Sequence, residues 1–209
     1  MDLRERAEWV LKNFTWNPQG GNDPFWMKTE QRGPCQVKST GELDIILDCI
    51  DRCPKDFQGW IVEIGTGKGG TAALMAAKAV FHGGLQVITM SPDLKPEIDI
   101  ELEGLKEVVN YYNVKSEPFY EEFKKIIGDE KIWFLYVDGE HTEQGANKDL
   151  NLYYPHVAEG GYILCHDMTM QRVRNGVEKF MNEHPEFKRI ITKHPIQGLY
   201  KRYSPLKNI

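Results

Sequence analysis

Hydrophobic positions in this chain recur with two periods, and the two alternate along it. Leu3 to Phe14 carries apolar residues at helical spacing, and Gly41 to Cys53 does so with Leu43, Ile46, Leu47 and Ile50 before Pro54 ends the run. Ile61 to Ile64 reads as a strand, and Thr71 to Phe81 as a helix rich in small residues. Gly83 and Gly84 turn into a strand over Leu85 to Thr89. Leu102, Leu105, Val108, Val109 and Tyr112 predict another helix, with a short strand near Val114 after it. A helix then carries Phe119, Phe123, Ile126 and Ile127. Residues 132–137 are continuously apolar, which predicts a strand buried on both faces. A helix through Leu150, Leu152 and Tyr153 leads to a strand over Tyr162 to Cys165 and a helix over Val173 to Glu183. Phe187 to Lys193 and Gly198 to Tyr203 read as two closing strands.

Strands alternating with helices imply right-handed crossovers and a mostly parallel sheet covered on both faces. The expected fold class is therefore α/β, a doubly wound, mostly parallel seven-stranded sheet. The short connection around Pro195 and Gly198 makes the C-terminal strand antiparallel. A length of 209 residues suits one such domain, over residues 41–209. Residues 1–40 add an N-terminal helix and a turn-rich loop holding Trp16, Phe25 and Trp26. Those aromatics serve either as a latch packed on the domain or as a lid over a substrate.

Composition narrows the partners. A net charge of -5 argues against a nucleic-acid backbone, which needs a basic face. No apolar run approaches the roughly 20 residues of a membrane span. The first residues, Met1-Asp-Leu-Arg-Glu-Arg, have no apolar signal core, so a cytoplasmic location is expected. Cys35, Cys49, Cys53 and Cys165 are scattered and read as reduced thiols. A homo-oligomer is compatible with all of this.

The chemistry concentrates in two places. The first is Trp60-Ile-Val-Glu-Ile-Gly-Thr-Gly-Lys-Gly-Gly-Thr71, a strand, a glycine-dense turn and a helix start. Such a turn lets a ligand approach the backbone. Gly65, Gly67 and Gly70 satisfy the dinucleotide spacing G-x-G-x-x-G, which leaves a nicotinamide oxidoreductase open. That reading wants an acid at the second strand's tip, where Ser91 stands, with Asp93 beyond Pro92. A phosphate loop is excluded, because Lys68 is followed by Gly69. Glu63, just before the turn, suits a cofactor without phosphates and with a cationic end, such as S-adenosylmethionine. Otherwise it is a buried acid satisfied by backbone donors.

The second place is the pair of strand ends Asp138-Gly-Glu-His141 and Cys165-His-Asp167. In open α/β sheets ligands bind beyond the carboxyl ends of the strands. Asp138 and Asp167, with the His166 imidazole, suit a divalent cation. Oxygen donors favour Mg²⁺ or Mn²⁺, and the imidazole favours a borderline metal.

The segment Glu63-Ile-Gly-Thr-Gly-Lys-Gly-Gly-Thr71 resembles motif I of class I S-adenosylmethionine-dependent methyltransferases, most of all the branch with macrocin-type O-methyltransferases and cephalosporin-hydroxylase-like proteins. The similarity runs from about Gly41 to Phe180 and implies a Rossmann-like methyltransferase fold. It implies that Glu63, Gly65, Thr66, Gly67, Lys68, Gly69 and Gly70 bind the cofactor, with Ser91 and Asp138. Asp138, His166 and Asp167 are similar to the metal ligands of metal-dependent O-methyltransferases, and His141 holds the place of their general base. The implied reaction is methyl transfer to a small-molecule hydroxyl. Three departures stand out: Ser91 replaces an acid for the ribose, the segment from Val114 to Pro118 lacks the usual adenine turn, and His166 replaces an acid. They leave open a domain with this fold used only for binding or assembly.

Overall fold

In a computed structural model of the chain, residues 1–13, 40–93, 102–192 and 196–204 are described. The expected aromatic loop with Trp16, Phe25 and Trp26, and Cys35 within it, lies outside the described residues. So do Phe14 and Lys193, at the ends of two expected elements.

One seven-stranded sheet forms the centre, in the order β3-β2-β1-β4-β5-β7-β6. Its strands are β1 (Gly59–Ile64), β2 (Leu85–Met90), β3 (Val109–Tyr112), β4 (Lys131–Val137), β5 (Val157–Cys165), β6 (Phe187–Ile190) and β7 (Gly198–Arg202). The first five run parallel, and β7 pairs antiparallel with both β5 and β6. The mostly parallel α/β sheet expected from the sequence is therefore present, with the short link between β6 and β7 setting the antiparallel pair.

Helices cover both faces. On one side lie α1 (Leu3–Asn13), α2 (Thr40–Asp51) and α3 (Gly70–His82), which pack Val10, Ile46 and Leu74 against Ile61, Phe134 and Tyr136. On the other lie α4 (Ser116–Ile127), α5 (Glu143–Tyr153) and α6 (Gln171–Glu183), which pack Phe123, Leu150 and Phe180 against Val62, Leu135 and Ile163. Successive strand residues face opposite sides, so a strand covered on both is apolar almost throughout, as β1 is apart from the buried Glu63 and β4 apart from Lys131 at its exposed start.

β4 breaks the alternation once. The register against β1 shifts between the pairs Trp60–Ile132 and Ile61–Phe134, which leaves Trp133 as an extra residue. Trp133 and Phe134 consequently join the same core. The Trp133 indole N–H donates to the Cys49 carbonyl of α2 at 2.7 Å, which ties that helix to the sheet.

The stretch from Leu102 to Tyr112 departs from expectation. Residues 102–108 run as turns, with Leu102 and Leu105 buried beneath them. Val109–Tyr112 is a strand, paired with Val87–Met90 of β2, where helical spacing suggested a helix and placed a strand nearer Val114. The unpaired backbone edge of β2 outweighs a helical spacing that only five apolar positions support. Among the described residues, no helix is long and apolar enough to cross a membrane.

Candidate active site

The backbone lines up four strand tips. One residue past each strand, an N–H bonds to the last carbonyl of the neighbour. Ser91 bonds to Tyr112 (3.1 Å), Gly65 to Met90 (2.8 Å), Asp138 to Ile64 (2.8 Å) and His166 to Val137 (3.0 Å). The glycine turn and the two acidic strand ends are thereby held on one edge.

The turn itself depends on Gly65. Its φ is +103°, and a Cβ there would sit 2.0 Å from the Asp138 carbonyl oxygen. No side chain fits so close to backbone, so β1 and β4 meet at this point only through glycine. Gly69, at φ +90°, precedes the first turn of α3. A cleft of about 520 Å³ opens above, lined by Gly65, Gly67, Ser91, Asp93, Ser116 and Asp138 among others. Glu140, His141 and Asp149 are also part of its lining.

Not every residue expected at the cofactor reaches this cleft. Glu63, Thr66, Lys68, Gly69 and Gly70 are absent from its lining. Strand alternation turns Glu63 away from Ile64 and onto the face it shares with Ile61, where it is 1% exposed. There the Thr89 hydroxyl donates to its carboxylate, and the Thr66 hydroxyl lies 2.7 Å from that of Thr89. Burial pushes the Glu63 carboxyl up to about 8, against the pull of the Thr89 bond.

Asp138, His141 and Asp167 come together, each with one donor atom within 4.8 Å of the others. His141 Nε2 stands 3.3 Å from Asp138 Oδ1 and 3.4 Å from Asp167 Oδ2. His166 Nδ1 stands 3.2 Å from Asp138 Oδ1 and 3.5 Å from Asp167 Oδ1. Burial pushes the Asp138 carboxyl up, but its two imidazole neighbours outweigh burial and hold it below the usual range. The bond to Asp138 raises His141. Burial lowers His166, yet Asp138 and Asp167 carry it up to about 10. Asp167 adopts a left-handed φ of +52°, a conformation aspartate tolerates better than most residues.

Distance does not separate the roles of the two histidines; exposure does. The His141 side chain is 38% exposed and borders the cleft, whereas that of His166 is 6% exposed. The donor set, two carboxylates and a buried imidazole whose nitrogens have no hydrogen-bond partner, fits a divalent cation. Gly-turn backbone, Ser91 and Ser116 fit the polar edges of a nucleoside.

Two acids escaped the sequence reading. Glu42 is fully buried in α2, and Asp149 is 4% exposed in α5, where it accepts a hydrogen bond from Ser116. Burial pushes the Asp149 carboxyl up to about 6. Each occupies an apolar-face position of its helix, four residues before Ile46 and three after Ala146, and that misplacement is the signal.

A seven-stranded sheet in this order, with a glycine turn after β1 and a cleft over the carboxyl ends, is the architecture of the class I methyltransferases. The family described as "Methyltransferase domain" matches residues 62–168, from β1 through the Asp167 strand end. The chain belongs to that family. An uncharacterized protein, R132 of Acanthamoeba polyphaga mimivirus, is 31% identical over 117 residues, which are 51% of this chain and 50% of that protein. The chain thus matches about half the length of this curated relative. CalS11, a TDP-rhamnose 3'-O-methyltransferase of calicheamicin biosynthesis, is similar in fold with a TM-score of 0.64 at 12% identity, over 96% of this chain and 94% of that one. MycE, a methyltransferase of the mycinamycin pathway solved with Mg, SAH and mycinamycin VI, gives 0.59 at 14% identity, over 100% of this chain and 56% of that one.

Proposed function

We propose that the protein transfers a methyl group from S-adenosylmethionine to a hydroxyl of a small molecule, with a divalent cation held by Asp138, His166 and Asp167. The observation that carries this reading is the meeting of Asp138, His141 and Asp167, of which Asp138 and His141 line the glycine-turn cleft. MycE, of the same fold, was solved with Mg and SAH, which supports both ligands.

When bound, the cofactor supplies an electrophilic methyl group, and the cation supplies Lewis acidity toward the acceptor hydroxyl. The chain's own residues do the rest. The turn backbone at Gly65 and Gly67 lets the donor's amino-acid end approach closely. Ser91, Asp93 and Ser116 line the part of the cleft that suits the nucleoside. Asp138 accepts the proton on His141 Nε2, with Asp167 Oδ2 3.4 Å away, which leaves Nδ1 as the basic nitrogen. That nitrogen takes the acceptor's proton as the oxygen attacks. An imidazole raised from its ordinary value by Asp138 is a competent base near neutral pH. Holding both reactants at one sheet edge supplies much of the acceleration.

Isothermal titration with S-adenosylmethionine and with S-adenosylhomocysteine tests the donor. One site with a sub-millimolar dissociation constant is expected for each. No heat from either ligand at millimolar concentration refutes the reading.

A further inference from the structure

His166 has two faces, and each meets a different carboxylate. Nδ1 looks toward Asp138 and Asp167 at 3.2 and 3.5 Å. Nε2 looks the other way, toward Glu42 Oε1 at 4.0 Å. The histidine is 6% exposed and Glu42 is 0% exposed, so water does not screen the contact. Neither ring nitrogen has a hydrogen-bond partner. A buried imidazole with one nitrogen on an acidic cluster and the other facing a carboxylate has the layout of a metal-bound histidine with its orienting acid.

The geometry points to Glu42 as the positioning residue for His166: across 4.0 Å, in a site closed to water, its carboxylate favours the tautomer protonated on Nε2 and so leaves the Nδ1 lone pair for the Asp138 and Asp167 side. The inference rests on the metal reading above. Its physical content is a tautomer. An imidazole free to turn or to carry its proton on Nδ1 offers a donor, not a lone pair, to the cluster. Glu42 lies on α2, far in sequence from every strand tip. Its place is fixed by Ile46 and Ile50, buried on the same helix, and by the Trp133 bond to the Cys49 carbonyl. A carboxylate behind a metal-bound imidazole also strengthens it as a ligand. Tyr136 of β4 sets its ring edge-on to His166, with centroids 6.2 Å apart.

The test uses Mn²⁺ alone as the probe, with free Mn²⁺ read by electron paramagnetic resonance. Four proteins are compared: wild type, Glu42→Gln, His166→Asp and the double variant. Glutamine keeps the shape of Glu42 and removes its charge, and circular dichroism confirms that each variant is folded. Loss of an orienting acid costs about 10-fold to 100-fold in metal affinity. Glu42→Gln is expected to weaken Mn²⁺ by at least about 10-fold in the wild-type background. In the His166→Asp background the same change is expected to cost less than about 2-fold, because no imidazole is left to orient. Equal losses in both backgrounds, or no loss in either, overturn the role of Glu42 while leaving the metal site intact. A wild type that binds no Mn²⁺ overturns both. If Glu42→Gln does not fold, Glu42→Asp replaces it, and an unchanged Mn²⁺ affinity there also overturns the inference.

Discussion

Replacing Glu63 by glutamine isolates one ionisable group that the fold keeps from water. The carboxyl is 1% exposed, and burial lifts it from an ordinary 4.5 to about 8. Below the lower value it is protonated in both the folded and the unfolded chain, and it contributes no pH dependence. Between the two values the unfolded chain releases the proton and the folded chain keeps it. The folded state then binds more protons, so stability falls as pH rises through this window. The loss is about 1.4 kcal/mol per pH unit. From pH 6 to pH 8 the wild type should therefore lose roughly 2 to 3 kcal/mol through this group. Glutamine still accepts from the Thr89 hydroxyl but has no proton to release. Urea unfolding of both proteins at pH 6, 7 and 8 gives the difference directly, since shared groups cancel. Glu63→Gln should gain on the wild type by that amount across the range, which for a chain of this size is about 5 to 10 °C in Tm. A difference that stays constant with pH refutes the argument.

Other consequences are as specific. Gly65→Ala puts a Cβ 2.0 Å from the Asp138 carbonyl in a left-handed conformation, so it should lower stability by more than about 3 kcal/mol in chemical denaturation. Near-wild-type stability would show that the two strand tips are not locked together. His141→Ala should lower kcat at least about 100-fold in a methyl-transfer assay while S-adenosylhomocysteine affinity holds. Loss of affinity instead would place His141 in cofactor binding. Trp133→Phe strands the buried Cys49 carbonyl and should cost about 1 to 3 kcal/mol in thermal unfolding.

The sheet was legible because strands buried on both faces leave an unbroken apolar run, as residues 132–137 do. The site edge was legible too, since parallel strands deliver their carboxyl-terminal residues to one side, and Asp138, His166 and Asp167 each follow such a run. What escaped depends on contacts between distant segments. Val109 and Tyr112 fit a helical period, and only the open edge of β2 makes them a strand. The extra residue Trp133 in β4 is invisible in an apolar run, where every position looks alike. Glu63 sits before the glycine turn in the chain, yet strand alternation turns its side chain from the cleft. Glu42 lies 124 positions before His166 in sequence, and only the packing of α2 brings the two to 4.0 Å.

The central claim is that the glycine turn and the acidic strand ends form one methyl-transfer site. A crystal structure with S-adenosylhomocysteine tests it most directly. The account predicts the nucleoside between Ser91, Asp93 and Ser116, the amino-acid end against Gly65 and Gly67, and the sulfur turned toward Asp138 and His141. Ligand density anywhere else, such as the groove between α2 and β6 lined by Asp48 and Ile190, would contradict it.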